Sequence, residues 1–357
     1  MAEPTVLLSG LGIPESPRWH EGRLWFCNWI DRQVVAVDTD GRPEVMVVRD
    51  PDSHAMGYSI DWLPDGRLLT TGDRVRRHER DGSVVTVADQ HANELVVDAR
   101  GNIYINGADF DFVGGGAPKP GYIKVVTPDG QLRQVAGDIQ FPNGMVITPD
   151  GQTLIISESF AGRLTAFDID GDGGLSGRRV FADGLGPDGI TMDAEGAIWV
   201  STGGFSVARV AEGGTVLQRI ELAENRAPFA LMLGGPDRRT LFICTAEWRL
   251  ADGHVANLER LTTGPRTGEI LALPVEVGPT ASRPAPEPGG AASLRRRPGS
   301  RGPCHRHRAG PFSGTGSAVS PQVSPGAAGA LRVPAACRCL CRRIPHGGVA
   351  TRSRRSS

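Results

Sequence analysis

Cysteine is scarce in the body of this chain. Of six cysteines in 357 residues, only Cys27 and Cys244 fall before residue 295. Two cannot make a disulfide framework, so both are expected to be small core residues. No basic segment followed by an apolar run opens the chain, and no run of about 18 apolar residues occurs. The expectation is a soluble, cytoplasmic protein with no membrane partner. No window of about 11 residues shows a convincing helical period. Neither a G-x-S-x-G elbow nor an H-E-x-x-H pair occurs, which sets aside those serine hydrolases and zinc proteases. Residues 295–357 hold 13 arginines and no Asp, Glu or Lys. The formal net charge of −1 therefore hides a body, residues 1–294, of about −14. That sign argues against nucleic acid as a partner.

What is present is a repeat. Phe141 to Ser159, FPNGMVITPDGQTLIISES, has a Pro-Asn-Gly opening, a short alternating run, a Pro-Asp-Gly turn and an apolar run. Other copies begin at Ile13, Gly57, Ala92, Pro187 and Pro228, the last with a turn one residue longer. The turn glycines Gly22, Gly66, Gly101, Gly151 and Gly196 are 35 to 50 residues apart. Each turn is followed by a β-prone run (LWFC, RLLTT, IYIN, LIIS, IWVS, LFIC), then by a second run and another Asp-Gly or Gly-Gly turn. Short strands at this period, about four to a unit, predict an all-β, six-bladed β-propeller over residues 1–278. Closure is expected through Thr5 to Leu8 pairing with Glu269 to Leu273. Residues 279–357 are low in complexity, rich in Arg, Pro, Gly and Ala, and expected to be disordered. Their composition suits an out-of-frame reading of GC-rich DNA. Cys304 to His307 and Cys337 to Cys341 fit no regular zinc spacing.

In a propeller the innermost strand of each blade lines the central channel. The opening position then reads Glu15, Tyr58, Asn93, Asn143, Asp188 and Phe229, four oxygen-bearing groups and two aromatics. Two carboxylates and two amides converging from different blades call for a hard cation, calcium first, with magnesium or manganese next. Zinc also takes such ligands but prefers nitrogen or sulfur. Taken singly, Asn143 and Asp188 also suit plain turn formation, since Pro-Asn-Gly and Pro-Asp-Gly are turn formers.

IPESPRWHEGRLWFCNW, NELVVDARGNIYIN, FPNGMVITPDGQTLIISES, GPDGITMDAEGAIWVS and LGGPDRRTLFICTA together resemble the gluconolactonase/regucalcin (senescence marker protein) family. The resemblance runs in order from about residue 5 to 277. It implies a six-bladed propeller that binds one divalent metal and often hydrolyses sugar lactones. It implies Glu15, Asn143 and Asp188 as metal ligands, and Asn93 as a substrate contact near the metal. The expected mechanism is water attack on a lactone carbonyl, both activated by the metal, with Asp188 as general base. The chain departs from the family in having His91 where many members have Arg, and Asn93-Glu94 where many have Asn-Asp. His91 is either a substitute substrate donor or a rim residue. Glu94 is expected on the face of its strand opposite Asn93.

The glycine-rich stretch Gly107 to Gly121 suits a cover over the channel mouth or a plain surface insertion. Gly184 to Gly189 matches G-x-G-x-x-G but leads into a strand, so dinucleotide binding is set aside. Asp168 to Gly173 starts like a calcium loop, yet Arg179 falls where calcium needs Glu, so a hairpin turn is expected. The rivals to a small-molecule lactonase are a metal-dependent phosphotriesterase-like hydrolase on the same fold, a non-catalytic metal- or ligand-binding propeller, and an interaction scaffold.

Overall fold

The structure is a computed structural model that describes residues 3–49 and 56–280. The arginine-rich tail, with Cys304, His307 and Cys337 to Cys341, lies outside the described residues. Strand β1 is Thr5–Leu11. Blade 1 holds β2 (Pro14–His20), β3 (Arg23–Asn28), β4 (Gln33–Val37) and β5 (Pro43–Val48). Blade 2 holds β6 (Ile60–Trp62), β7 (Leu68–Thr70), β8 (Val75–His78) and β9 (Val84–Ala88). Blade 3 holds β10 (Glu94–Val97), β11 (Ile103–Ala108), β12 (Gly121–Val126) and β13 (Leu132–Ile139). Blade 4 holds β14 (Pro142–Ile147), β15 (Thr153–Glu158), β16 (Arg163–Ile169) and β17 (Leu175–Ala182). Blade 5 holds β18 (Thr191–Met192), β19 (Ile198–Ser201), β20 (Ser206–Val210) and β21 (Val216–Glu221). Blade 6 takes β22 (Arg226–Gly234), β23 (Thr240–Glu247) and β24 (Gly268–Pro274), and is completed by β1, with Thr5 opposite Ala272. The fold is a six-bladed β-propeller closed by its own first strand.

The sequence shows why. Asp-Gly and similar turns join β-prone runs, and the turn glycines sit at positive φ, for example Gly66 at 83° and Gly151 at 71°, where a side chain would strain the backbone. The strands next to the axis bury both faces, so their apolar residues do not merely alternate. In β3, Leu24 and Phe26 pack against blade 6, while Trp25 and Cys27 pack against blade 2. Each gap between neighbouring blades is filled by one apolar cluster of this kind. Cys27 and Cys244 are buried, unbonded members of these clusters. The outer strands are exposed, as in β5, with Val45 and Val48 open to solvent.

One element was not expected. Between β23 and β24 the chain forms a helix, α1 (Gly253–Thr263). Only Leu258 and Leu261 give it a buried apolar side, too few to register as a period. Buried Asn257 anchors it, because its side chain bonds Arg249 N and O and the Gly253 carbonyl. No helix among the described residues is long and apolar enough to cross a membrane.

Candidate active site at the channel mouth

The opening residues lie where the strand ladder is interrupted. Register breaks fall between Glu15 and Arg18, between Pro142 and Met145, and between Pro228 and Ala230. Asn93 and Asp188 precede the paired parts of β10 and β18. A broken ladder releases side chains from strict alternation and re-aims them. Close packing of blades at this end depends on two glycines. A Cβ on Gly144 would lie 2.7 Å from Gly189 Cα, and one on Gly189 would lie 2.5 Å from Ala230 Cβ.

A belt of hydrogen bonds fixes the opening backbone. The Tyr58 carbonyl accepts from Trp29 Nε1 (2.7 Å), and the Asn93 carbonyl from Thr71 Oγ1 (3.2 Å). The Asn143 carbonyl accepts from Asn106 Nδ2 (2.7 Å), the Asp188 carbonyl from Ser157 Oγ (2.7 Å), and the Phe229 carbonyl from Gly189 N (2.7 Å). In each case the donor comes from the preceding blade. Thr71, Asn106 and Ser157 are positioning residues that sequence reasoning passed over. The signal was the polar residue ending each apolar run, as in RLLTT, IYIN and LIIS.

Glu15, Asn143 and Asp188 come together at the axis. Asn143 is buried and its amide hydrogen-bonds the Asp188 carboxylate. Glu15 is buried, with Oε2 accepting from Ser16 N at 2.9 Å. Burial first, then the Asp188 and Glu94 carboxylates, push the Glu15 carboxyl well above its ordinary range, against Ser16 N–H and Arg18. Asp188 keeps part of its surface open to the channel yet has protein on every side. Burial and then Glu94 push it up to about 8, opposed by the Asn143 amide and the Gly189 N–H. Asn93 stands beside them. Gly57 leaves room for it, since a Cβ there would meet Asn93 Oδ1 at 2.4 Å.

Two expectations fail here. Glu94 does not turn away from the site. It is buried, takes hydrogen bonds from Ser16 Oγ and from Ser59 Oγ (2.8 Å), and meets Arg18 Nη2 at 3.6 Å. The alternation argument failed because Asn93 precedes the regular ladder. Tyr58 does not face the channel. Its ring is fully buried between blades 1 and 2, and its hydroxyl donates to Asn28 O (2.9 Å) and Gln33 O (3.0 Å). Ser16, at φ 50°, spends a left-handed backbone to serve two acids, Glu15 through its N–H and Glu94 through its hydroxyl. His91 lies exposed at the rim, and its ring bonds no described residue. Surrounding protein lowers its pKa, against the pull of Asp109 and Asp73, which favours the neutral imidazole.

Two buried carboxylates, Glu15 and Glu94, and half-buried Asp188 thus meet here, and among the described residues one guanidinium, Arg18, makes contact. Arg49, near blade 2, pairs with Asp73 at 3.5 Å and lies over the Tyr58 ring. Among the described residues, no three His, Cys, Asp or Glu side chains are arrayed as ligands for one ion. Glu94 is turned to Ser16 and Ser59, so an ion here would take two carboxylates plus amide oxygens. Elsewhere, a cavity of about 690 Å³ lies on the outer rim of blade 6. Most of its charges are paired, Arg226 with Glu269 (3.3 Å), Arg249 with Glu247 (2.8 Å) and Arg266 with Asp31 (2.9 Å).

Above the axis the mouth is covered. The stretch between β11 and β12 is organised by Asp111, whose Oδ1 accepts from Gly114 N at 2.7 Å. Its Phe112 stacks on His254 of α1 (4.7 Å between ring centres, 16° between planes), and His254 Nε2 lies 3.1 Å from the Phe112 carbonyl. Blades 3 and 6 therefore meet over the channel.

The comparisons agree with this architecture. The sequence matches the family model described as SMP-30/Gluconolactonase/LRE-like region over residues 13–247. The chain belongs to this family. It is 31% identical over 163 residues to 6-deoxy-6-sulfogluconolactonase of Pseudomonas putida, covering 44% of this chain and 54% of that one. It is 29% identical over 178 residues to diisopropyl-fluorophosphatase of Loligo vulgaris, covering 44% and 55%. These alignments span about half the length of either relative. The solved structure of a calcium-binding protein, regucalcin, from Agrobacterium tumefaciens superposes with a TM-score of 0.62 at 23% identity, covering 78% of this chain and 95% of that one. At that identity the likeness shows the fold.

Proposed function

We propose that this protein is a divalent-metal-dependent lactonase that opens a cyclic ester with water. The observation that carries the reading is the charge imbalance at the axis. Buried Glu15 and Glu94 and half-buried Asp188 lie close enough that Glu94 raises the pKa of the other two, and among the described residues one guanidinium, Arg18, contacts them. Buried like charges disfavour ionisation unless a cation joins them, and the remaining charge matches one divalent ion. Glu15, Asn143 and Asp188 would hold that ion. Their oxygen donors favour calcium, with magnesium, manganese and zinc behind it. Such an ion, when bound, polarises an ester carbonyl and makes a nearby water more acidic.

The remaining work falls to the side chains. Asp188, aimed by Asn143 and Gly189 and pinned through Ser157, takes the proton of the attacking water. The water oxygen bonds to the carbonyl carbon, the ring C–O bond breaks, and the leaving alkoxide recovers the proton. Asn93 orients the ester, and His91 at the rim offers a further hydrogen bond. The test is hydrolysis of a lactone panel by the full chain, metal-free and with calcium, magnesium, manganese or zinc, beside Asp188→Ala. Metal-dependent turnover that the substitution abolishes supports the reading. Metal binding without any turnover would replace it with a binding propeller. The likeness to diisopropyl-fluorophosphatase favours a second reading, phosphoryl ester hydrolysis at the same residues, and organophosphates in the panel separate the two.

A further inference from the structure

Resting on that reading, we infer that the substrate carries an apolar alkyl or aryl group in place of a sugar's hydroxyls, and that Phe112, Phe229 and Trp29 receive it. Phe229 is the blade 6 opening residue, and its carbonyl binds Gly189 N, one residue from Asp188. Trp29 donates Nε1 to the Tyr58 carbonyl at 2.7 Å. A Cβ built on Gly57 would meet both the Trp29 ring, at 3.5 Å, and Asn93 Oδ1, at 2.4 Å, so the indole lies beside the Asn93 amide. The Trp29 ring therefore borders the Asn93 amide, and Phe229 is tied by its backbone to the residue after Asp188.

These rings continue upward into one apolar cluster. Trp29, Met56, Phe112, Phe229 and Trp248 pack partly buried around Ile13, Leu258 and Leu261. Phe229 meets Trp248 edge-on at 5.7 Å. On the other side Phe112 meets Phe141 at 4.7 Å, and Phe141, two residues before Asn143, stacks on Phe160 at 4.3 Å. Trp29, Phe112 and Phe229 are each half-buried, so each keeps some open surface. A polyhydroxylated ring placed against such walls would leave its hydroxyls without partners, which costs affinity. An alkyl or aryl group gains by burial there.

The experiment compares δ-lactones bearing methyl, propyl and pentyl groups with glucono-δ-lactone, using the full chain and whichever metal supports turnover. The expected result is a kcat/KM that rises about three- to fourfold per added methylene until the cap is filled. The pentyl lactone should exceed glucono-δ-lactone by at least about tenfold. Phe112→Ala and the milder Phe229→Leu should flatten the series while leaving glucono-δ-lactone turnover less affected. A flat series, or a preference for glucono-δ-lactone, overturns the inference and leaves the lactonase reading standing. If no lactone turns over, the lactonase reading falls, and binding decides the inference alone. Pentyl-δ-lactam, titrated against tryptophan fluorescence, should then bind more tightly than gluconolactam, and equal or weaker binding overturns it.

Discussion

Glu158 and Glu15 are both buried glutamates at the mouth end of a blade, and the protein treats them oppositely. Glu158 accepts from Thr165 Oγ1 (2.5 Å), Arg163 Nε (3.0 Å), Arg178 Nη2 (3.1 Å) and Gln140 N (2.8 Å). Burial raises its pKa, but these donors outweigh that and hold the carboxyl below its ordinary range. Glu15 receives one N–H and faces two other acids, so its carboxyl is raised. Burial alone therefore marks no active site. What separates the two is whether the fold itself supplies the compensating charge. Glu158 stitches blade 4 together, whereas among the described residues Glu15 and Asp188 receive no such set of donors.

The largest effect expected from this contrast is on catalysis. Asp188→Ala should lower lactone turnover by about 10²–10⁴-fold, with the circular dichroism spectrum unchanged. Loss of structure together with activity would make Asp188 a stitch like Glu158.

Next in size is a stability contrast. Glu158→Ala should cost about 3 kcal/mol in urea unfolding, because it removes the buried acceptor that Thr165, Gln140 N–H, Arg163 and Arg178 share. In metal-free protein Glu15→Gln should be neutral or stabilising, since burial and two neighbouring acids already disfavour the ionised carboxylate and the amide keeps an acceptor for Ser16 N–H. Equal losses would erase the distinction.

A pH effect follows with a definite sign. Asp188 has its pKa raised to about 8 in the folded state. Between about pH 4, where an unfolded Asp titrates, and pH 8, the folded chain keeps a proton that the unfolded chain has released. Metal-free stability should therefore fall as pH rises through that window, by at most about 1.4 kcal/mol per pH unit. A saturating divalent cation should flatten the slope. Thermal melts at stepped pH, with and without calcium, read this out, and a slope untouched by the ion would count against the site.

The smallest effect concerns the packing that brings the acids together. Gly144→Ala should cost about 1–2 kcal/mol and weaken metal binding, because the added Cβ would press on Gly189 and the Asp188 carbonyl.

Much of this was legible in the sequence. Turn glycines at a regular spacing announced the blades, and Thr5 to Leu8 announced the closing strand. The opening position named Glu15, Asn143 and Asp188, which the fold does bring together. Period-two reasoning misplaced Glu94 because Asn93 precedes the regular ladder, and aligning the repeat openings misplaced Tyr58, whose ring the gap between blades 1 and 2 buries. The cap escaped because α1 buries only two leucines on its apolar side, and because the contact between Phe112 and His254 joins residues 142 positions apart.

The most direct test of the central claim is calorimetric titration of the metal-free full chain with calcium, beside Glu15→Gln and Asp188→Ala. The account predicts one ion per chain, a higher melting temperature on binding, and loss of both in either variant. Wild-type protein that binds no divalent ion, or variants that bind as tightly as wild type, would contradict it.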